Sequence, residues 1–256
     1  MKAIWTGAIA FGLVNIPVKL YPAIKESRLD FDMLDKKDHA RIKYKRVNES
    51  TGREVAWNNI VKGFQVNDKY VILTEADFEK ASPEKTKLIA MELFIKMEEI
   101  DVILYNNAYY LYPAKGGERA FRLLAETLAK TKRCGVGSFV LRNREHLAVI
   151  RVAENVMLLH TLRFLEEIRD PSDFALKNLP KGRSNASETK MAGSLVRSME
   201  AKFDLKKYKD SYKQQLTKLI KAKGSGKKLP EPAKPRIAAN DDLVEQLKKS
   251  IASRKK

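Results

Sequence analysis

Ala3-Ile4-Trp5-Thr6-Gly7-Ala8-Ile9-Ala10-Phe11-Gly12-Leu13-Val14-Asn15-Ile16-Pro17-Val18-Lys19-Leu20-Tyr21 opens the chain, and β-branched and aromatic residues dominate it. Gly7, Gly12, Asn15 and Pro17 punctuate the run, so it reads as two strands, Ile4 to Phe11 and Val14 to Tyr21, meeting at a turn or bulge. The most apolar stretch, Ala8 to Val14, is cut by Asn15 and Pro17 and followed by Lys19. That is far short of the roughly 20 residues of a spanning helix. A secretory leader fits no better, because only Lys2 precedes the apolar run, no small-x-small cleavage site follows, and the strand pattern continues through Val18, Leu20 and Tyr21.

Strands of the same kind recur along the chain. Phe31 to Leu34, Arg41 to Val47, Tyr70 to Leu73, Leu88 to Lys96, Tyr109 to Tyr112, Val136 to Leu141, Leu147 to Val152 and Val156 to Leu162 are short, apolar or alternating, and separated by turn residues. Many short strands predict a barrel or a sandwich. Helices are fewer. Thr74-Glu75-Ala76-Asp77 has the form of a helix start, with the Thr74 hydroxyl placed to accept from first-turn amides. Gly116 to Lys132 sets Phe121, Leu124, Ala125 and Leu128 on one face and ends in Lys130, Lys132 and Arg133. Later, Ser187 is placed to cap a helix carrying Met191, Leu195, Met199 and Phe203. A second helix carries Tyr208, Tyr212, Leu216 and Leu219, and a short last one Leu243, Leu247 and Ile251. The class is β-rich mixed α+β.

The 256 residues hold 50 Lys+Arg against 32 Asp+Glu, a formal charge of +18, which predicts a polyanionic partner. A hydrophobic share of 44% in periodic segments excludes disorder throughout. The charge is uneven: from Lys181 onward there are 21 basic and 8 acidic residues, a net of +13, against +5 for the rest. Lys221 to Pro235 mixes Gly, Pro and Lys and reads as a mobile linker. Cys134 is the single cysteine, so neither an internal disulfide nor a thiolate zinc site is expected, which fits a reducing cytoplasm.

No catalytic constellation emerges. Gly224-Ser225-Gly226-Lys227-Lys228 lacks the first Gly and the final hydroxyl of a phosphate loop, and no strand leads into it. His39, His146 and His160 stand singly, without the spacing that sets two imidazoles on one helix face. Asp30 and Asp32 are the one pair suggesting a metal-dependent nuclease, and they lack an acidic partner at motif spacing. Cys134 neighbours Arg133 but no general base, and a Lys-x-Asp-Gly nucleotidyl acceptor is absent. The expectation is a protein that is not an enzyme, with no cofactor and no metal.

Basic residues are more informative. Arg41-Ile42-Lys43-Tyr44-Lys45-Arg46-Val47 alternates charge and bulk, so as a strand it sets Arg41, Lys43 and Lys45 on one face, roughly 6.6 Å apart. Such a row suits a phosphate backbone, and Lys36, Lys37, Arg53 and Lys62 lie close enough in sequence to extend it. It equally suits a solvated edge strand, where lysines block aggregation. Arg142 and Arg144 form either a cationic turn or a hairpin exit.

The opening run resembles the start of the bacterial Ku proteins, the DNA-end-binding factors of non-homologous end joining. Similarity continues in order through Arg41 to Val47, Asn58-Asn59-Ile60-Val61-Lys62-Gly63, Tyr70-Val71-Ile72-Leu73-Thr74, Glu99-Ile100-Asp101, Tyr109-Tyr110-Leu111, Phe139-Val140-Leu141-Arg142 and Ile168-Arg169-Asp170-Pro171. It extends to Glu188-Thr189-Lys190-Met191-Ala192-Gly193, Phe203, Tyr208 and Asp210-Ser211-Tyr212, covering roughly residues 2 to 222. Many relatives carry a C-x-x-C after the basic strand; Asn48-Glu49-Ser50-Thr51 stands there instead, so no zinc knuckle or redox switch is carried over.

The resemblance implies a Ku-type β-barrel core over residues 1 to 180, with an inserted DNA-encircling bridge at about 30 to 75. A C-terminal helical arm (181 to 222) and a basic tail with a short helix (223 to 256) would follow. By the same resemblance the protein is a homodimeric ring, cytoplasmic and nucleoid-associated. It would bind double-stranded DNA ends without sequence specificity, protect them, and recruit a multifunctional ATP-dependent DNA repair ligase, with the exposed face from about Ser187 to Ile220 as the candidate contact. The DNA-binding expectation falls on Arg41, Lys43 and Lys45, with Lys36, Lys37, Arg46, Arg53 and Lys62 around them. The competing expectation is a general architectural DNA-binding protein whose charge coats nucleic acid without preferring ends.

Overall fold

Nine strands and four helices stand in chain order: β1 (Trp5–Phe11), β2 (Val14–Pro22), β3 (Lys62–Val66), β4 (Lys69–Leu73), α1 (Glu75–Ala81), β5 (Leu88–Lys96), β6 (Tyr105–Pro113), α2 (Glu118–Thr131), β7 (Arg133–Leu141), β8 (Arg144–Ala153), β9 (Val156–Leu162), α3 (Ala186–Ser198) and α4 (Ser211–Gly224). The computed structural model describes residues 1–82, 86–173 and 185–227, together with Leu247 and Ser250, and the counts are of these. They fall into two units, Met1–Ser27 with Phe31–Asp173, and Arg28–Asp30 with Phe174–Lys256.

The first unit is built on a closed barrel. β1 and β2 pair from Trp5 opposite Leu20 to Phe11 opposite Val14, with Gly12 at φ 53 making the turn. The strand order then runs β2, β6, β9, β8, β7 and β5, and β5 lies parallel to β1 to close the ring. Closure removes the open edges that make sheets aggregate. Because alternate side chains face the lumen, Ile9, Ile16, Val18, Leu20, Ile89, Phe139, Ile150 and Leu159 meet there and are buried. The β5–β7 contact is so close that a Cβ on Gly137 would strike the Ala90 carbonyl, so only glycine fits.

One end of the barrel is covered by α2, whose buried Leu124 and Leu128 join the lumen core. On the outer strand face a second cluster of Ile100, Cys134, Val149 and Leu162 is buried beneath the connection after β5. Where β6 bulges against β9, the Asn107 amide donates instead to the Thr161 hydroxyl, 3.1 Å away and itself buried.

Several sequence expectations are corrected. Phe31 to Leu34 and Arg41 to Val47 are not strands: they meet their neighbours only through the single bridges Leu34–Arg41 and Val47–Glu54. Ile42 donates to the Met33 carbonyl at 2.9 Å and Arg46 accepts from Val55 at 2.8 Å, so the segment passes from one partner to the next and no ladder forms. Conversely β3 pairs with β4 through an Asn67-Asp68 turn at φ 45 and 63, a dipeptide suited to a tight hairpin that the sequence reading passed over.

Asn185, not Ser187, caps α3, its side chain accepting from the Ser187 amide. Asp210 caps α4, which leaves Tyr208 before the helix and carries helix through Gly224 into the stretch expected to be linker. Thr74 and Asp77 do form the expected capping box on α1. The expected boundary at 180, residues 228 to 246 of the tail, and Leu243 and Ile251 of the last helix lie outside the described residues.

Candidate nucleic-acid interface

Between Leu20 and Ile89 no described residue is buried, so about a quarter of the chain is inserted into the barrel sequence without adding to its core. This insertion carries every expected DNA-binding residue, and all eight are exposed.

Lys36 and Lys37 sit at the tip of a turn held by Asp35, which accepts from the Lys37 amide at 2.8 Å. Arg41 pairs with Asp32 at 2.8 Å, Lys45 with Glu54 at 2.7 Å, and Lys62 with Glu75 at 3.2 Å. Arg53 follows the Asn48–Thr51 loop, where the Asn48 side chain accepts from the Ser50 and Thr51 amides at 3.0 Å each. Arg46 lies 4.4 Å over the Trp57 ring and Lys62 4.5 Å over Phe78, contacts that fix the heads of long side chains. Among the described residues, the side chains of Lys36, Lys37, Lys43 and Arg53 have no carboxylate partner.

The cations therefore divide into a paired set and an open set. Exposed ion pairs are worth only about 0–1 kcal/mol, so Arg41, Lys45 and Lys62 can exchange their carboxylates for phosphates at little cost. Loss of the regular strand removes the even spacing expected of Arg41, Lys43 and Lys45. Trp57 beneath Arg46 was not singled out from the sequence, since nothing local indicates which ring a distant guanidinium will cover. At Asp77 the Thr74 hydroxyl and backbone amide hold the carboxyl below its ordinary range and fix the start of α1.

Exposed apolar side chains share the insertion, among them Tyr44, Trp57, Phe64 and Tyr70, each at least two-thirds exposed. Asp32 of the Asp30 and Asp32 pair meets Arg41 at 2.8 Å, and no group of three or more possible metal ligands occurs among the described residues. Nor is any helix there long and apolar enough to cross a membrane.

A closed seven-strand barrel with a large exposed insertion between its second and third strands is matched by a known family. The family model described as the Ku70/Ku80 beta-barrel domain matches residues 10–193. The chain belongs to the Ku family. Relatives carrying the name Non-homologous end joining protein Ku include one from Coxiella burnetii, 37% identical over 262 residues, covering 100% of this chain and 96% of its own. Another, from Cupriavidus necator, is 40% identical over 100% of this chain and 79% of its own. A third, from Archaeoglobus fulgidus, is 37% identical over 90% of each. The Ku family match begins near the end of β1 and runs through the rest of the barrel and the insertion into α3.

Proposed function

We propose that this chain acts in non-homologous end joining as a homodimeric ring that binds double-stranded DNA ends without sequence specificity, protects them, and brings an ATP-dependent DNA repair ligase to them. The observation that carries the reading is the set of eight exposed basic residues on the insertion within a Ku family barrel. Lys36, Lys37, Lys43 and Arg53 would meet phosphates first, and Arg41, Lys45, Arg46 and Lys62 after exchanging the partners they hold alone. Contacts to phosphate hold duplex in place without reading bases, which suits a factor that must accept any break.

The homodimer is supported by the apolar side chains the insertion leaves exposed, since Trp57, Phe64 and Tyr70 contribute burial only against another surface. The domain limits follow this division: the barrel with its insertion, the helical arm around α3 and α4 as ligase contact, and the tail as an accessory basic segment.

Competition binding at roughly physiological salt, with a linear duplex against a covalently closed circle of the same sequence, tests the reading. A strong preference for the linear form, abolished by bulky blocks on both ends, is expected of a ring that threads. Equal competition by the circle would transfer the function to architectural coating driven by the +18 charge. Lys43→Glu is expected to weaken binding uniformly across sequences and to make the salt dependence shallower by about one phosphate contact.

A further inference from the structure

The end of the barrel opposite α2 differs in its chemistry from the insertion. β7 and β8 are joined there by a two-residue turn, Arg142-Asn143, with φ 53 and 66. Arg144 stands opposite Leu141 and His146 opposite Phe139, and both partners are buried in the lumen core. Cross-strand partners share a sheet face, so Arg144 and His146 occupy lumen-facing positions that continue into the buried Ala148 and Ile150. The His146 ring lies 5.8 Å from Phe139.

A hollow of about 520 Å³ opens at this end, lined by Arg142, Arg144, His146, Asn107 and Tyr109 with apolar walls from Ile4 and Leu141. Glu26 also lines it. Among the described residues neither Arg142 nor Arg144 has a carboxylate partner within ion-pair distance. Burial pushes the Tyr109 phenol up while the Arg142 charge pulls the other way, which places that guanidinium within electrostatic reach of the half-buried hydroxyl.

Arg144 at its lumen-facing rim position and Arg142 in the turn are both exposed, so their guanidiniums are within reach of an anion from solvent. A left-handed backbone site holding Arg, where Asn or Gly is favoured, carries a local cost. Two guanidinium forks, an imidazole, an amide and a phenol converging on an apolar-walled hollow match the many acceptor oxygens of a phosphate group.

We infer that this end of the barrel is a phosphate-binding site, formed by Arg142, Arg144 and His146 with Asn107 and Tyr109, and distinct from the basic residues of the insertion. Its ligand is a phosphate group, either inorganic phosphate free in solution or a phosphate ester carried by a DNA strand. The second source rests on the proposed function, and the first does not.

The full chain is titrated with inorganic phosphate at constant ionic strength, reading the His146 ring resonances by NMR. A parallel arm measures the salt dependence of binding to a linear duplex. Arg142→Asn with Arg144→Gln removes both forks while Asn tolerates the left-handed turn, and an unchanged thermal midpoint verifies folding. If that double variant does not fold, Arg144→Lys retains charge without the fork.

A saturable His146 response, weakened at least tenfold in the double variant, supports the site. A salt slope shallower by about 1.8 in the same variant identifies the DNA backbone as the source, while an unchanged slope identifies free phosphate. A response that does not saturate, or that is equal in parent and variant, overturns the inference. If the parent prefers no ends yet retains the saturable response, the ring reading fails and the phosphate site stands.

Discussion

The barrel and the insertion at residues 31–82 are made of similar residues and held in opposite ways. In the barrel, apolar side chains two apart along each strand converge on one lumen, and Ile9, Val18, Leu20, Ile89 and Leu159 are fully buried. In the insertion, Val66, Val71 and Ile72 alternate or run together just as strand residues do, yet all are about half exposed. The same chemistry stabilises only where closure gives it a second side. The barrel therefore has its own core, whereas the insertion has a shape defined by turns, caps and exposed ion pairs.

The sharpest way to break this contrast is to remove core from each region. Ile150→Ala, in the lumen, is expected to lower unfolding stability by about 2–5 kcal/mol, read by urea denaturation. A loss as small as a surface change would mean that the barrel is not the stabilising unit. Next in size is Thr161→Val. It removes the acceptor for the Asn107 amide at the β6 bulge and should lose about 1–3 kcal/mol by the same measurement, despite equal volume.

A third test uses pH. His160, on the outer barrel wall, accepts from the Arg151 guanidinium at 3.1 Å, and burial first, then the Arg151 charge, pulls its pKa below the ordinary 6.5. A histidine depressed in the folded state binds fewer protons there than when unfolded, so stability is complete above pH 6.5 and declines as pH falls through and below that value. His160→Gln should flatten this decline in thermal melts between pH 7 and 5; an unchanged profile would assign the decline to other groups. In the insertion the corresponding titration is that of Asp77, whose depressed carboxyl supports α1 until pH falls below the ordinary carboxylate range.

Smallest is the effect of Val71→Ala in the insertion, expected to shift the stability of dilute protein by no more than about 0.5 kcal/mol. Its consequence should emerge instead as a weaker self-association in sedimentation at rising concentration. A large loss in dilute protein would show that the insertion has a core of its own.

Most barrel strands were legible because a strand buried on one face carries its period in the sequence. The α1 capping box was legible because its partners are three residues apart. The basic row was legible as composition but not as geometry. Whether Arg41 to Val47 forms a strand depends on neighbours seven to nine residues away on both sides, and these supply two single bridges in place of a ladder. The Arg142 and Arg144 pair could be seen as a turn, but not as the rim of a hollow, because its other walls come from Ile4 before β1, from the end of β2 and the residues after it, and from β6.

By itself the sequence determined the class, the positions of most strands and the concentration of charge, since these depend on local periodicity and on counts. Tertiary structure alone decided that β5 returns parallel to β1 to close the barrel, and that the insertion remains outside it. It also decided which cations are paired and which are open. Those outcomes depend on contacts between residues far apart in the chain, whose partners no local pattern names.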